Sequence, residues 1–165
     1  MKYEALLTDF LNGPRELEKE VEGIEKDLAD FRPFEGAWII REHVVHVTDS
    51  DINNFIRWKS IFAQPRSNAY VIDEEAWVKN MRYTTASMEK YLKVLKLLRE
   101  ITYDYLIDVD ENEWTKEYFV HATLGMVTLE KCITVYANHI PFHLEHMRRN
   151  KKLWAQVILP RPKQG

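Results

Sequence analysis

Cysteine is nearly absent from this chain: of 165 residues, only Cys132 is one. An internal disulfide is therefore excluded, and nothing in the cysteine usage points to an oxidising compartment. Glycine and proline are scarce, at five and six residues, which disfavours many short strands and favours long helices. No apolar run approaches the roughly 18 residues that a membrane span needs, and the first residues lack the apolar segment of a signal peptide. The expected location is cytoplasmic, with no membrane partner. Nor is one sign of charge in excess. The 23 basic and 26 acidic residues are spread along the chain for a formal net charge of −3, which leaves no electrostatic footprint for nucleic acid. The basic run Arg148-Arg149-Asn150-Lys151-Lys152 is short, as suits a solvated helix end favoured by the macrodipole.

What is present is core material. Hydrophobic residues make up 45% of the chain, with five Trp, eight Tyr and seven Phe among them. That is globular composition, and the length suits one domain spanning residues 1–165. Residues 2–11 read as a short helix closed by Asn12-Gly13, with Pro14 opening the next. Leu17, Val21, Ile24, Leu28 and Phe31 then alternate at spacings of four and three, the pattern of an amphipathic bundle helix, until Arg32-Pro33 stops it. A third helix is expected from about Ala37 to Phe62. It carries one apolar stripe of Ile40, Val44, Val47, Phe55, Trp58 and Phe62 and a second of Trp38, Val45, Ile52 and Ile56. Residues 63–84 read as a long loop crossing the bundle, with a short helix near Glu74 to Lys79. Another long helix should run from Ala86 to Asp108, burying Met88, Tyr91, Leu92, Leu95, Leu98, Ile101 and Tyr105. Residues 109–126 form a second connection, and Thr128 or a neighbour caps a last helix from about Leu129 to Lys152. The architecture predicted is all-α, a four-helix bundle with long crossover connections.

The last helix carries His139, His143 and His146 at i, i+4 and i+7, a spacing that stacks them on one face at about 3.6 residues per turn. Cys132, Val135, Tyr136, Phe142 and Met147 share that face, whereas Glu130, Thr134, Asn138, Glu145 and Arg148 lie opposite. The histidines therefore point inward on an amphipathic reading. Buried imidazoles need partners for both nitrogens, and either carboxylates and carbonyls or one shared metal ion would satisfy a stack of three. A polar strip of His43, His46, Ser50, Asn53 and Arg57 runs along the third helix. It is either a solvent seam or the lining of an internal pocket with His46 facing the last helix. Pro141 removes one hydrogen bond to the carbonyl of Ala137 and should bend the last helix between His139 and His143. Cys132 lies about two turns before His139, so ordinary burial suits it better than ligation.

Two histidines from one helix and one from another would leave a divalent ion with open positions, the catalytic rather than the structural arrangement. Imidazole suits zinc, nickel, copper or iron. Glu42, Asp49 and Asn53 are placed to accept the second N–H of His46. No residue stands out as a general base, and no nucleophile motif such as G-x-S-x-G is present.

The segments Trp38-Ile-Ile-Arg41-Glu-His-Val-Val-His46-Val-Thr-Asp49-Ser50 and Ile52-Asn53-Asn-Phe55-Ile-Arg57-Trp-Lys59 resemble the signature of the YfiT branch of the DinB-like superfamily. Glu75-Ala-Trp77, His121 to Gly125 with Thr128-Leu129, and Tyr136-Ala-Asn-His139 to His146 are similar to its later segments, in order. The resemblance spans about residues 5–150. It implies a four-helix bundle, usually a homodimer, with one nickel or zinc ion per chain held by His46, His139 and His143. It implies a small-molecule substrate and a metal-dependent hydrolase. The alternatives are transfer of a low-molecular-weight thiol such as bacillithiol to an electrophile, and a non-catalytic metal-binding bundle of the stress response. Ser50, Asn53 and Arg57 are the expected pocket lining. The chain departs from the family in having Ile140 where glycine is frequent, Ala122 after His121, and proline at 141, which leaves His43 and His146 open as substitute ligands.

Overall fold

The computed structural model describes residues 2–158. Four long helices dominate: α1 (Glu4–Val21), α3 (Ile40–Ala63), α5 (Met88–Leu106) and α7 (Leu129–Ile158), with short helices α2 (Lys26–Ala29), α4 (Glu74–Asn80) and α6 (Glu113–Lys116) between them. In cross-section α1 touches α5 and α7, and α3 touches the same two. Helices consecutive in the chain, α1 to α3 and α5 to α7, are thus diagonal. Residues 22–39 and 107–128 make the crossovers, and the 64–87 connection, expected to cross the bundle, joins two neighbours instead.

Two helix boundaries differ from the pattern in the sequence, and each for a physical reason. α1 runs unbroken through Asn12-Gly13-Pro14. Proline at 14 cannot donate to the carbonyl of Phe10, but Arg99 Nη1 donates to that carbonyl at 2.7 Å. Glycine at 13 admits the guanidinium, since a Cβ there would stand 2.6 Å from Arg99 Nη1. The helix expected to continue to Phe31 stops at Val21, where Gly23 turns the chain with φ of +64°. On α5 the buried face is Leu95, Arg99, Thr102 and Leu106, while Ile101 and Tyr105 face out. On α3, Ile52 and Ile56 are exposed as well.

The core is split. One apolar cluster gathers Leu7, Phe10, Trp58, Leu106, Trp114 and Ile133, and the other Leu17, Val44, Val47, Leu95, Ile140 and Met147. Between them along the helices lies the fully buried Arg99. It donates from Nε and Nη2 to the two carboxylate oxygens of Asp51 at 2.9 and 3.0 Å, and from Nη2 to the carbonyl of Tyr136 at 3.0 Å. One side chain of α5 therefore ties all four long helices together.

The second crossover contains a hairpin that the strand-poor sequence did not announce. Strands β1 (Tyr118–His121) and β2 (Gly125–Thr128) pair antiparallel, Tyr118 opposite Thr128. Residues 66–69 add to β1 through Arg66 N donating to Tyr118 O, Ala69 N to Val120 O and Val120 N to Ser67 O. This pins the start of the 64–87 connection and so places α4, whose first turn is capped by Asp73 accepting from Ala76 N at 3.0 Å. Thr128 Oγ1 accepts from Lys131 N at the start of α7, and α7 continues through Pro141 to Ile158. No helix among the described residues is long and apolar enough to cross a membrane.

Candidate metal centre

The α3 strip faces the protein interior: His43, His46 and Ser50 are buried. Glu42 fixes the start of α3 by accepting from the amide of Ile39 at 2.9 Å. The second half-site comes from α7, where the i, i+4 spacing survives Pro141. His139 Nε2 and His143 Nε2 stand 3.0 Å apart. His46, His139 and His143 each offer one nitrogen, and the three lie within 4.8 Å of one another. Trp38 packs its ring edge-on to His46 at 4.8 Å between centroids and screens this corner.

Hydrogen counting shows what this cluster lacks. Burial is the main cause that pushes His46 down to about 4 and His139 to about 3, and it drives His143 well below its ordinary value with help from the neighbouring histidines. All three are neutral at pH 7, so each ring carries one hydrogen and one lone pair. His139 Nδ1 is buried without a partner. His143 has a nitrogen 3.0 Å from His139 and its other, Nδ1, 2.9 Å from His43 Nδ1. Converging neutral imidazoles with lone pairs to spare and no acidic hydrogen donor among them are the donor set of a divalent cation, so the residues fit a metal. Were Nε2 of His143 to face a cation, its hydrogen would sit on Nδ1, within reach of His43 Nδ1. His43, pushed down to about 3 by burial and then by His146 and His46, would then stand behind His143 rather than in its place. His146 ring-stacks with His43 at 5.8 Å on the same far side.

The expected partners of His46 are engaged elsewhere. Glu42 binds Ile39 and Arg32, Asp49 accepts from the Tyr83 hydroxyl, and Asn53 donates to the carbonyl of Asp49. The carboxylate that does approach is Glu74, with Oε2 3.8 Å from His46 Nε2. It comes from α4, a helix remote in sequence, and no spacing rule links positions 46 and 74. Burial raises the Glu74 carboxyl, and Arg57 partly offsets this.

Beside the cluster opens a cavity of about 400 Å³. Ser50, Arg57, Glu74, Cys132, Tyr136 and His139 bring polar groups to it, and Val71, Ile72, Leu124 and Val135 apolar ones. Ser50 and Arg57 both line it. Asn53 does not line this cavity, because its amide is turned back onto its own helix. Cys132 is buried, donates to Asn54 Oδ1 at 3.1 Å, and is pushed up to about 12 by burial, which leaves it an unreactive thiol. His121 closes the hairpin turn by accepting at Nδ1 from the amides of Thr123 and Leu124.

Comparison with known proteins places these features in a wider set. The sequence model of the DinB superfamily matches residues 10–147. The chain is 25% identical over 134 residues to YfiT of Bacillus subtilis, a protein named for an inferred metal-dependent hydrolase activity, covering 81% of this chain and 75% of that one. Relatives named in the same way come from Oceanobacillus iheyensis, 26% identical over 134 residues with 81% and 77% covered, and Bacillus cereus, 27% identical over 141 residues with 84% and 79% covered. The solved structure of Bacillus subtilis YfiT, described as an unusual four-helix bundle topology, superimposes with a TM-score of 0.85 at 24% identity, over 92% of this chain and 87% of that one.

Proposed function

The chain belongs to the DinB superfamily, and on that premise we propose that it is a metal-dependent hydrolase of a small substrate, holding one divalent ion, nickel or zinc, on His46, His139 and His143. The observation that carries this reading is the convergence of three neutral imidazoles, two buried and His139 half-buried, within 4.8 Å beside a cavity. An ion bound there supplies Lewis acidity and a water made acidic near neutral pH. The chain's own residues do the rest. His43 holds the orientation of His143. Trp38 covers one edge of His46, and Val71, Ile72, Leu124 and Val135 give the cavity an apolar wall. Glu74, half-exposed at the cavity and 3.8 Å from His46 Nε2, is placed to accept a proton from water at the cluster.

Metal content and turnover of a p-nitrophenyl ester, measured together, test the reading. About one divalent ion per chain with ion-dependent hydrolysis is expected, both lost in His139→Ala. Glu74→Gln should keep the ion and lose roughly a hundredfold or more in hydrolysis. Turnover of a low-molecular-weight thiol with chlorodinitrobenzene, and none of esters, would replace hydrolysis by thiol transfer. A fully loaded protein inert to both would sink the enzyme.

We also propose a homodimer formed through α5. Its outer face carries exposed Val94, Leu97, Ile101 and Tyr105 at successive spacings of three, four and four, the continuous stripe of a helix seeking another helix.

A further inference from the structure

Arg57 is a charged group without a charged partner. Its Nη1 donates to the Tyr136 hydroxyl at 2.9 Å and its Nη2 to the carbonyl of Tyr70 at 3.0 Å, both neutral acceptors. Its Nε has none. Among the described residues no carboxylate comes within ion-pair distance of it, Glu74 across the cavity included. A guanidinium has five N–H donors in a fork that matches an oxyanion, and two neutral acceptors leave that capacity mostly unused.

The charge bears on the cavity. Burial is the first influence on the acidity of Tyr136, Cys132, Glu74 and His121, and the charge of Arg57 is the second at all four. Glu74 is the one carboxylate that lines the cavity, and it makes no ion pair with Arg57. Tyr136 accepts from Arg57, which frees its own hydrogen to be donated, and Ser50 bonds to the same hydroxyl. One tyrosine separates this donor cluster from the histidines, for the rings of Tyr136 and His139 lie 5.9 Å apart.

We infer that the molecule processed at the histidine cluster carries an anionic oxygen group, carboxylate or phosphate, and that Arg57 binds it with the Tyr136 hydroxyl beside it. The inference deepens the metal-dependent reading and rests on it. Arg57 lies three helical turns beyond His46 on the same strip of α3, so the anionic group is several bonds removed from the one that reacts. A purely structural Arg57, clipping the 64–87 connection through Tyr70, would give no preference for charge at the far end of a ligand.

The test uses three hydroxamates with the same chelating end and tails of similar length: hexanohydroxamic acid, adipic monohydroxamic acid and a phosphonate-terminated equivalent. Each is titrated calorimetrically into full-length protein of confirmed metal content. At least one anionic tail should bind about tenfold or more tightly than the neutral one, and the better of the two identifies the oxyanion. That ratio should fall toward one in Arg57→Gln and largely persist in Arg57→Lys. In the parent protein it should shrink as salt rises to about 0.5 M, a measure that needs no variant. Equal binding of all three tails overturns the anionic subsite and leaves the metal reading intact. Binding of none, with the ion present, overturns the open metal site and this inference with it.

Discussion

Arg99 shows what one buried charge costs and supplies in this protein. Its guanidinium has no exposure, and burial lifts the Asp51 carboxyl while Arg99 offsets that rise. Replacing one member strands the other, so Asp51→Ala should cost about 3–5 kcal/mol in chemical denaturation, whereas an Arg99→Met, Asp51→Leu pair strands no charge but still leaves the Phe10 carbonyl without its donor. Gly13→Ala, which crowds Arg99 Nη1 at 2.6 Å, should cost about 1–3 kcal/mol by the same measurement. Neither residue was legible as special in the sequence: Arg99 occupies a buried position of an otherwise ordinary amphipathic helix, and Gly13-Pro14 reads as a turn unless a donor for the Phe10 carbonyl is known. The histidines were legible, since their spacing alone puts them on one face. His43 has a second use only in three dimensions, where its Nδ1 meets His143 Nδ1 at 2.9 Å. His43→Phe should weaken metal binding roughly 10- to 100-fold in a chelator competition; unchanged affinity would remove it from behind the ligand.

At the scale of elements, the four long helices follow from their periodicity, and their boundaries shift where tertiary contacts override local signals. The hairpin was hidden for a different reason. Residues 118–128 contain one glycine, and that glycine, Gly125 with φ of +67°, sits at the end of a turn closed by His121 rather than in a two-residue turn motif. The hairpin matters because residues 66–69 pair with it and lead into α4, which brings Glu74 to His46. That chain of dependence gives an expected outcome. Asp73→Ala removes the cap on Ala76 N and should cost α4 about 1 kcal/mol. Because α4 buries no residue completely, the loss should appear as faster amide exchange over residues 74–80 and slower ester turnover, with the global unfolding midpoint nearly unmoved. A large drop in that midpoint would mean that α4 is part of the core.

For the whole molecule, the histidine cluster couples stability to pH in a direction that can be worked out. His43, His46 and His139 are neutral when folded down to about pH 3 or 4, chiefly through burial, but take up protons near pH 6.5 when unfolded. The unfolded chain therefore binds more protons between about pH 4 and 6.5, and stability falls as pH drops through that window, by up to about 1.4 kcal/mol per pH unit for each such histidine. Asp49 and Glu74, raised by burial, act the other way near the carboxylate range and blunt the lower end. A thermal midpoint that stays level from pH 7 to 5 would contradict the neutral cluster. A homodimer through the α5 stripe would add a dependence on concentration. Tyr105 packs one side of its ring on Trp58 and Phe62, but Val94, Leu97 and Ile101 stay exposed beside it, and a two-fold axis beside α5 would cover the stripe twice over. The parent should sediment as a dimer with a midpoint that rises with protein concentration, and Leu97→Glu with Ile101→Glu should sediment as a folded monomer that keeps its metal, because the histidines lie on α3 and α7. A monomeric parent would leave the stripe without a partner. Loss of the ion together with the dimer would mean that the partner copy helps to build the site.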